Sequence, residues 1–300
     1  MHNSSVDGGP QPQSGAARGA LFVVATPIGN LDDLSPRAVQ TLRDADRIVA
    51  EDTRHTHKLL ARFSITTTMS ALHEHNERGV APGLVADMLG GANVALVSDA
   101  GTPLISDPGY VLVDAAMSAG LHIVPIPGPC ALTTALSALG MPTDRFVFEG
   151  FLPAKSGVRS ERLQALKDET RTIVCYEAPH RIRPCLESIA EVLGPERVVG
   201  LAKELTKMHE QLFRGRVTDA LTWLAEDQHR TRGEFVLAIA GASADATPMD
   251  AQVEAWLPLL LEELPAARAS KLLARMTNVS RKTIYARALE LSDTEKQDED

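Results

Sequence analysis

Asn93-Val94-Ala95-Leu96-Val97-Ser98-Asp99 runs without a break into Ala100-Gly101-Thr102-Pro103-Leu104-Ile105-Ser106-Asp107-Pro108-Gly109. The first half reads as a strand, and helical spacing resumes from Val111 to Ala119. The stretch between them therefore lies at the C-terminal edge of a parallel sheet, where open α/β folds bind their ligands. An ordinary strand-to-helix connection needs fewer special residues. Gly101, Pro103, Pro108 and Gly109 fix an unusual backbone path, and Gly101 lets a ligand approach the main chain closely.

Two other stretches repeat the arrangement. Ile126-Pro127-Gly128-Pro129-Cys130-Ala131 ends a strand at His122–Pro127 and precedes a helix, and Thr26-Pro27-Ile28-Gly29-Asn30 ends a strand at Leu21–Ala25. Three special loops at one sheet edge imply one pocket. Around them, Ser35 and Pro36 open a helix whose apolar face carries Ala38, Val39, Leu42 and Ala45. A strand follows at Arg47–Asp52, with helical stretches around His57–Phe63 and Val80–Leu89. The alternation predicts an α/β domain with a largely parallel sheet over residues 20–141. A second α/β domain is expected over 142–241. Its strands fall at Arg145–Phe151, Thr172–Tyr176, Arg197–Leu201 and Phe235–Ala240, and its helices near Ser160–Lys167, Ile182–Leu193 and Thr218–Glu226. A small polar linker spans 242–252. Residues 253–291 form a helical module of Val253–Leu264, Ala266–Met276 and a Ser280-capped helix through Leu289. Disordered tails are expected at 1–19, rich in Gly, Pro, Ser and Gln, and at the acidic end, 292–300.

Composition narrows the function classes. A chain of 300 residues suits about two domains at roughly 150 each, and 44% hydrophobic residues allow a large core. The net charge of −9 excludes a protein that coats nucleic acid nonspecifically, so any RNA contact must come from a local basic patch. Scarce aromatics argue against a surface that stacks many unpaired bases. Cys130, Cys175 and Cys185 are widely spaced and odd in number, which points to reduced thiols. The N-terminus has no signal-peptide pattern and no run approaches the roughly 18 apolar residues of a membrane span, so a cytoplasmic location is expected. No G-x-G-x-x-G follows the first strand, which speaks against a nicotinamide dinucleotide site, and neither G-x-x-x-x-G-K-[ST] nor G-x-S-x-G occurs.

At these loops the chain resembles the tetrapyrrole-methylase-like, or class III, methyltransferases. It is most similar to the branch that methylates a ribose 2′-oxygen on a decoding-centre cytidine of 16S rRNA. The resemblance rests on Thr26–Leu31, Glu51-Asp52-Thr53-Arg54-His55-Thr56, Leu72-His73-Glu74-His75-Asn76-Glu77, Ser98–Gly109, Pro127–Ala131 and Glu149–Pro153. It continues through Tyr176-Glu177-Ala178-Pro179-His180-Arg181, Lys203-Glu204-Leu205-Thr206-Lys207 and Gly233-Glu234, and covers about Ala20 to Gly241.

The resemblance implies two α/β domains with S-adenosylmethionine in the cleft between them, and a homodimer. Carried over position by position, the cofactor touches Pro27, Gly101, Thr102, Ile105, Cys130 and Ala131, with Tyr176 and the Glu204-Leu205 region completing the pocket. Porphyrin-methylating relatives place an Asp where this chain has Thr102, a departure that favours the RNA-modifying branch. The partner implied is 16S rRNA, within the small ribosomal subunit.

A ribose hydroxyl is a very weak acid, so transfer to it benefits from a base or from a cation that stabilises the developing alkoxide. Glu51, Asp52, Arg54, Lys203 and Glu204 are the charged candidates; Arg54 is expected to grip RNA phosphate, and Lys203 or Glu204 to assist deprotonation. The same groups could instead form salt bridges between the domains. His55, His57, His73 and His75 lack the H-E-x-x-H spacing and any thiolate partner, so RNA-facing or hydrogen-bonded roles are expected rather than metal ligation. Cys130 is expected to pack rather than react.

Arg268, Lys271, Arg275, Arg281, Lys282 and Arg287 cluster near the C-terminus, with no acidic residue between Ala266 and Leu289. Two helices there resemble a helix-turn-helix, and in a negatively charged chain this local reversal favours contact with RNA phosphates over a merely solvated basic face. Two alternatives stand beside the RNA methyltransferase reading: a porphyrinoid C-methyltransferase sharing the cofactor cleft, and a noncatalytic ribosome-assembly factor. Neither accounts for both the loops and the basic C-terminus.

Overall fold

The computed structural model describes residues 18–242, 251–277 and 279–297. The tail expected over 1–19 and the linker over 242–252 fall largely outside these residues. The first unit is a sheet of β1 (Ala20–Val24), β2 (Arg47–Ala50), β3 (Met69–Ala71), β4 (Val94–Val97) and β5 (His122–Ile126), in the order β3-β2-β4-β1-β5 and parallel throughout. All four residues of β4 are buried, because helices cover both faces. On one face α1 (Pro36–Asp44) and α2 (Thr53–Arg62) bring Leu42 and Leu60 against Ile48 and Ala95. On the other, α3 (Glu77–Leu89) and α4 (Tyr110–Ser118) bring Leu84, Met88 and Leu112 against Leu96.

The helix α5 (Ala131–Leu139) does not return to this sheet. Leu132, Ala135, Leu136 and Leu139 pack on Val174, Ala202, Val236 and Ala238 of the second unit. Gly200 permits the close approach, since a Cβ there would stand 3.1 Å from Leu139 Cδ1. The second sheet comprises β6 (Phe146–Phe151), β7 (Thr172–Glu177), β8 (Val198–Lys203), β9 (Gln211–Arg216) and β10 (Phe235–Ile239), in the order β6-β7-β10-β8-β9. Only β6 and β7 are parallel, so this unit is mixed where the first is parallel. Its far face is covered by α6 (Ser156–Ala165), α7 (Ile182–Leu193) and α8 (Val217–Glu226), around Leu163, Ile189 and Leu224.

Two strands, β3 and β9, are absent from the sequence reading. β3 is three residues long with no fully buried position, and β9 alternates half-buried and exposed residues at the sheet edge. The reading also ends β8 at Leu201, two residues early. At the C-terminus α9 (Ala251–Glu263), α10 (Ala266–Met276) and α11 (Arg281–Gln297) share a core of Val253, Leu257, Leu273 and Ile284. Ser280 Oγ accepts from the Thr283 N–H at 3.1 Å, as an N-cap does. The expectation that this helix stops at Leu289 before a disordered end is corrected: α11 continues to Gln297. No helix among the described residues is long and apolar enough to cross a membrane.

Candidate active site

The three special loops converge as the strand order dictates. β4, β1 and β5 are neighbours, so the segments leaving their C-terminal ends meet. The Thr26 N–H donates to the Gly101 carbonyl at 2.8 Å and the Gly101 N–H returns the bond to Thr26 at 3.1 Å. Thr102 Oγ1 donates to the Pro129 carbonyl at 3.0 Å, which ties the second loop to the third. Gly101 sits at φ +85°, a left-handed conformation in which a side chain would also crowd Ile28 Cγ2 at 3.3 Å. Leu104 and Ser106 adopt φ 73° and 71°, so this loop is held under strain of the kind that functional sites store.

Facing these loops across a cleft of about 480 Å³ are β7, β8 and β10 of the second unit. The first loop is clamped to that unit by the Asn30 N–H, which donates to Thr206 Oγ1 at 3.1 Å. Ile28, Ile105, Leu205 and Val236 give the cleft apolar walls, and Glu51, Asp99, Asp107 and Glu177 give it carboxylates. Tyr176 lines it with its hydroxyl accepting from the Leu132 N–H at 3.3 Å, while Phe148 and Phe151 pack edge-on against its ring. Burial holds that phenol well above its ordinary range.

Of the positions assigned to the cofactor by resemblance, Gly101, Thr102, Ile105, Ala131, Tyr176 and Leu205 line this cleft. Pro27 and Cys130 stand one residue outside the lining, each preceding a residue that belongs to it. The charged candidates separate. Glu51 lies in the cleft. Arg54, with its side chain 89% exposed, is forked onto Asp52 at 2.8 and 3.1 Å and does not line it. That pairing holds the Asp52 carboxyl far below its usual range.

Lys203 and Glu204 line a different cavity, of about 520 Å³. Side chains alternate along a strand, so Ala202 faces the cleft and Lys203 leaves on the opposite face of β8. Glu204, at φ 51°, is held by Lys207 Nζ and by the Glu234 N–H, both at 2.9 Å. Burial pushes its carboxyl up, but these two donors prevail and leave it below the usual value. Lys203 and Glu204, expected to assist deprotonation, thus line the second cavity and are not among the residues that line the cleft.

Asp99, Asp107 and Glu177 were not singled out from the sequence. The first two were in view within the Ser98–Gly109 stretch, but nothing in their spacing shows that the loop folds back to set them beside Glu51. Burial, then the neighbouring Glu51 carboxylate, pushes Asp107 up to about 7, with Ser98 opposing and Asp99 adding to the effect. Burial and Asp99 raise Glu51 as well. A cluster of half-buried carboxylates that resist ionising together suits a cation, and a group poised near neutral pH suits proton transfer.

In the helical module, Arg268, Lys271, Arg275, Arg281 and Lys282 are exposed, whereas Arg287 is paired with Glu254 at 3.2 Å and Glu290 at 3.0 Å.

Residues 20–221 match the family described as Tetrapyrrole (Corrin/Porphyrin) Methylases, and residues 247–292 match one described as RsmI C-terminal HTH domain. The chain is 49% identical over 274 residues to Ribosomal RNA small subunit methyltransferase I of Pseudomonas aeruginosa, covering 91% of this chain and 97% of that one. It is 48% identical to the protein of the same name from Vibrio cholerae, covering 90% and 94%. Among solved structures it resembles uroporphyrin-III-C-methyltransferase from Thermus thermophilus (TM-score 0.53, 22% identity, 74% of this chain and 94% of that one). Diphthine synthase is another (TM-score 0.55, 12% identity, 74% and 90%). At such identities these structures establish the fold alone.

Proposed function

The chain belongs to the tetrapyrrole methylase family, in the branch of the ribosomal RNA small subunit methyltransferases I, and from that premise we propose that it methylates the ribose 2′-hydroxyl of a decoding-centre cytidine in 16S rRNA, with S-adenosylmethionine as donor. The observation that carries the reading is the carboxylate-lined cleft joined in one chain to an exposed basic helical module.

The residues of the cleft fit such a donor. Its volume suits a small molecule, its apolar walls suit an adenosine, and Glu51, Asp99 and Asp107 gain by facing a sulfonium and an ammonium group. S-adenosylmethionine supplies a methyl group activated for in-line displacement by an oxygen nucleophile. The protein's own part is to position that oxygen and manage its proton. Asp107 is the proton acceptor in this account, because it lines the cleft with a basicity near neutral pH. Glu51 keeps it there by repulsion. Gly101, Thr102, Ile105, Ala131, Tyr176 and Leu205 hold the donor, with Pro27 and Cys130 supporting the loops behind it. Arg268, Lys271, Arg275, Arg281 and Lys282 carry RNA phosphates, and Arg287 braces the module.

The reading extends to a cytoplasmic homodimer acting on the small ribosomal subunit. Tyr110 and Met117, exposed seven residues apart on α4, are apolar candidates for the dimer contact. Nucleoside mass spectrometry of small-subunit rRNA from cells with and without the gene tests the function. A 2′-O-methylcytidine present only with the gene is the expected result; identical nucleosides in both would overturn it.

A further inference from the structure

The second cavity shares no lining residue with the cleft. It lies at the ends of β8 and β9 and is lined by Lys203, Glu204, His209, Gln211, Asp227, His229, Arg232 and the backbone of Gly233. Its lining sets two cations, Lys203 and Arg232, beside two carboxylates, Glu204 and Asp227, that are already engaged. Glu204 is engaged by Lys207 and the Glu234 N–H, and Asp227 Oδ1 accepts from the His229 N–H at 2.8 Å. Among the described residues, Lys203 and Arg232 have no hydrogen-bond or ion-pair partner for their side chains.

Lys203 is the unusual member. It is only 4% exposed, no acceptor among the described residues takes a hydrogen bond from its ammonium, and the Glu204 carboxylate that acts on it is already held by Lys207. An anionic oxygen in the cavity would supply the acceptor that its ammonium lacks. Gln211 stands directly across the ladder from Lys203 and ends with a buried Oε1 lacking a partner; turning its amide presents an N–H at the same place. Arg232 and the two imidazoles are exposed, so the cavity has a buried cation at its base and donors at its rim.

We propose that this cavity binds a backbone phosphate of the substrate RNA, with Lys203 and Arg232 as its cationic contacts. The inference rests on the RNA reading above. The chain path supports a polymer rather than a free ion. Gly233 lines this cavity while the next residue, Glu234, lines the cleft, and Glu204 and Leu205 divide in the same way. The two cavities therefore share a border at Glu204-Leu205 and Gly233-Glu234, across which a strand with its ribose in the cleft would carry a neighbouring phosphate. Lys203 and Arg232 are then positioning residues for the acceptor, and take no part in the proton transfer.

The test compares wild type, Lys203→Gln and Arg232→Gln by two readouts. One is binding of a 16S rRNA fragment across a salt series, and the other is methyl transfer with KM and kcat resolved. Arg232 is exposed, so its variant keeps the test alive if the buried Lys203 substitution fails to fold. Each substitution is expected to weaken RNA binding about tenfold and to reduce the salt slope by about 1. KM for RNA rises while kcat at saturation and S-adenosylmethionine affinity stay unchanged. Unchanged RNA affinity and slope in both variants would overturn the proposal while leaving the methyltransferase reading intact. So would a loss of kcat with KM unchanged, which would place Lys203 in the chemistry. A wild type that binds RNA with the expected slope but transfers no methyl group contradicts the activity alone. A wild type that does not bind RNA contradicts both.

Discussion

Asp107 is where the account is most exposed at the scale of single residues. A carboxyl pushed up to about 7 in the empty cleft works as a base only once ionised, so kcat/KM for S-adenosylmethionine rises with pH through that region and levels off above it. Asp107→Asn removes the acceptor but keeps the shape. A fall in kcat of roughly 10²- to 10⁴-fold is expected, with loss of the rise near pH 7, read from pH–rate profiles. The same shift makes a stability statement of opposite sense. Because the folded value lies above the unfolded one, the favourable contribution is complete below the ordinary aspartate range and is lost as pH rises through about 7. At pH 8 the wild type therefore carries a penalty that Asp107→Asn lacks. The variant is expected to melt higher there, by about 1–2 kcal/mol of stability, well short of the full shift because the group is only half-buried. A Tm unchanged at pH 8 and pH 5 alike contradicts the burial argument. The residue itself was legible in the loop; its neighbourhood was not, because Glu51 is brought to it by sheet order rather than by spacing.

Strand ends decide more than strand identities at the scale of elements. β4 and its loop were plain from apolar run, glycines and prolines, and the parallel order of the first sheet followed from alternation with helices. The second sheet was less legible. β9 is an edge strand whose Arg214 and Arg216 dilute any apolar signal, and without it one of the two antiparallel partners that carry β8 on to Lys203 is invisible. Ending β8 two residues early turned Lys203 into a loop residue free to enter the cleft, when strand alternation sends it to the other face. The helical module was read correctly in kind, since Ser280 caps its last helix, but the acidic end extends α11 rather than leaving it. Lys271, Arg275, Arg281 and Lys282 stand exposed on α10 and α11. Replacing all four with Gln is expected to lower the salt slope of RNA binding by up to about 4 and to leave S-adenosylmethionine affinity unchanged by calorimetry. Equal losses of both affinities would mean that the module supports the fold instead of the RNA.

The whole molecule is organised by α5, which leaves the parallel sheet after β5 and docks on the mixed one. It fixes two units across a cleft, and the strained loop from Ser98 to Gly109 forms one lip of it while β7, β8 and β10 form the other. The polypeptide thus separates its tasks. The parallel unit supplies turns and carboxylates, the mixed unit supplies the opposing wall and a second cavity that holds Lys203 and Arg232, and the helical module supplies exposed positive charge to a chain of net charge −9. The central claim is that the donor cleft serves an RNA ribose rather than a tetrapyrrole carbon, although the fold is common to both. Radiolabelled methyl transfer from S-adenosylmethionine, offered in parallel to small ribosomal subunits lacking their native modifications and to a porphyrinoid acceptor, tests it most directly. Label recovered in a 2′-O-methylated cytidine and none in the porphyrinoid is the predicted result; label in the porphyrinoid and none in the RNA would contradict it.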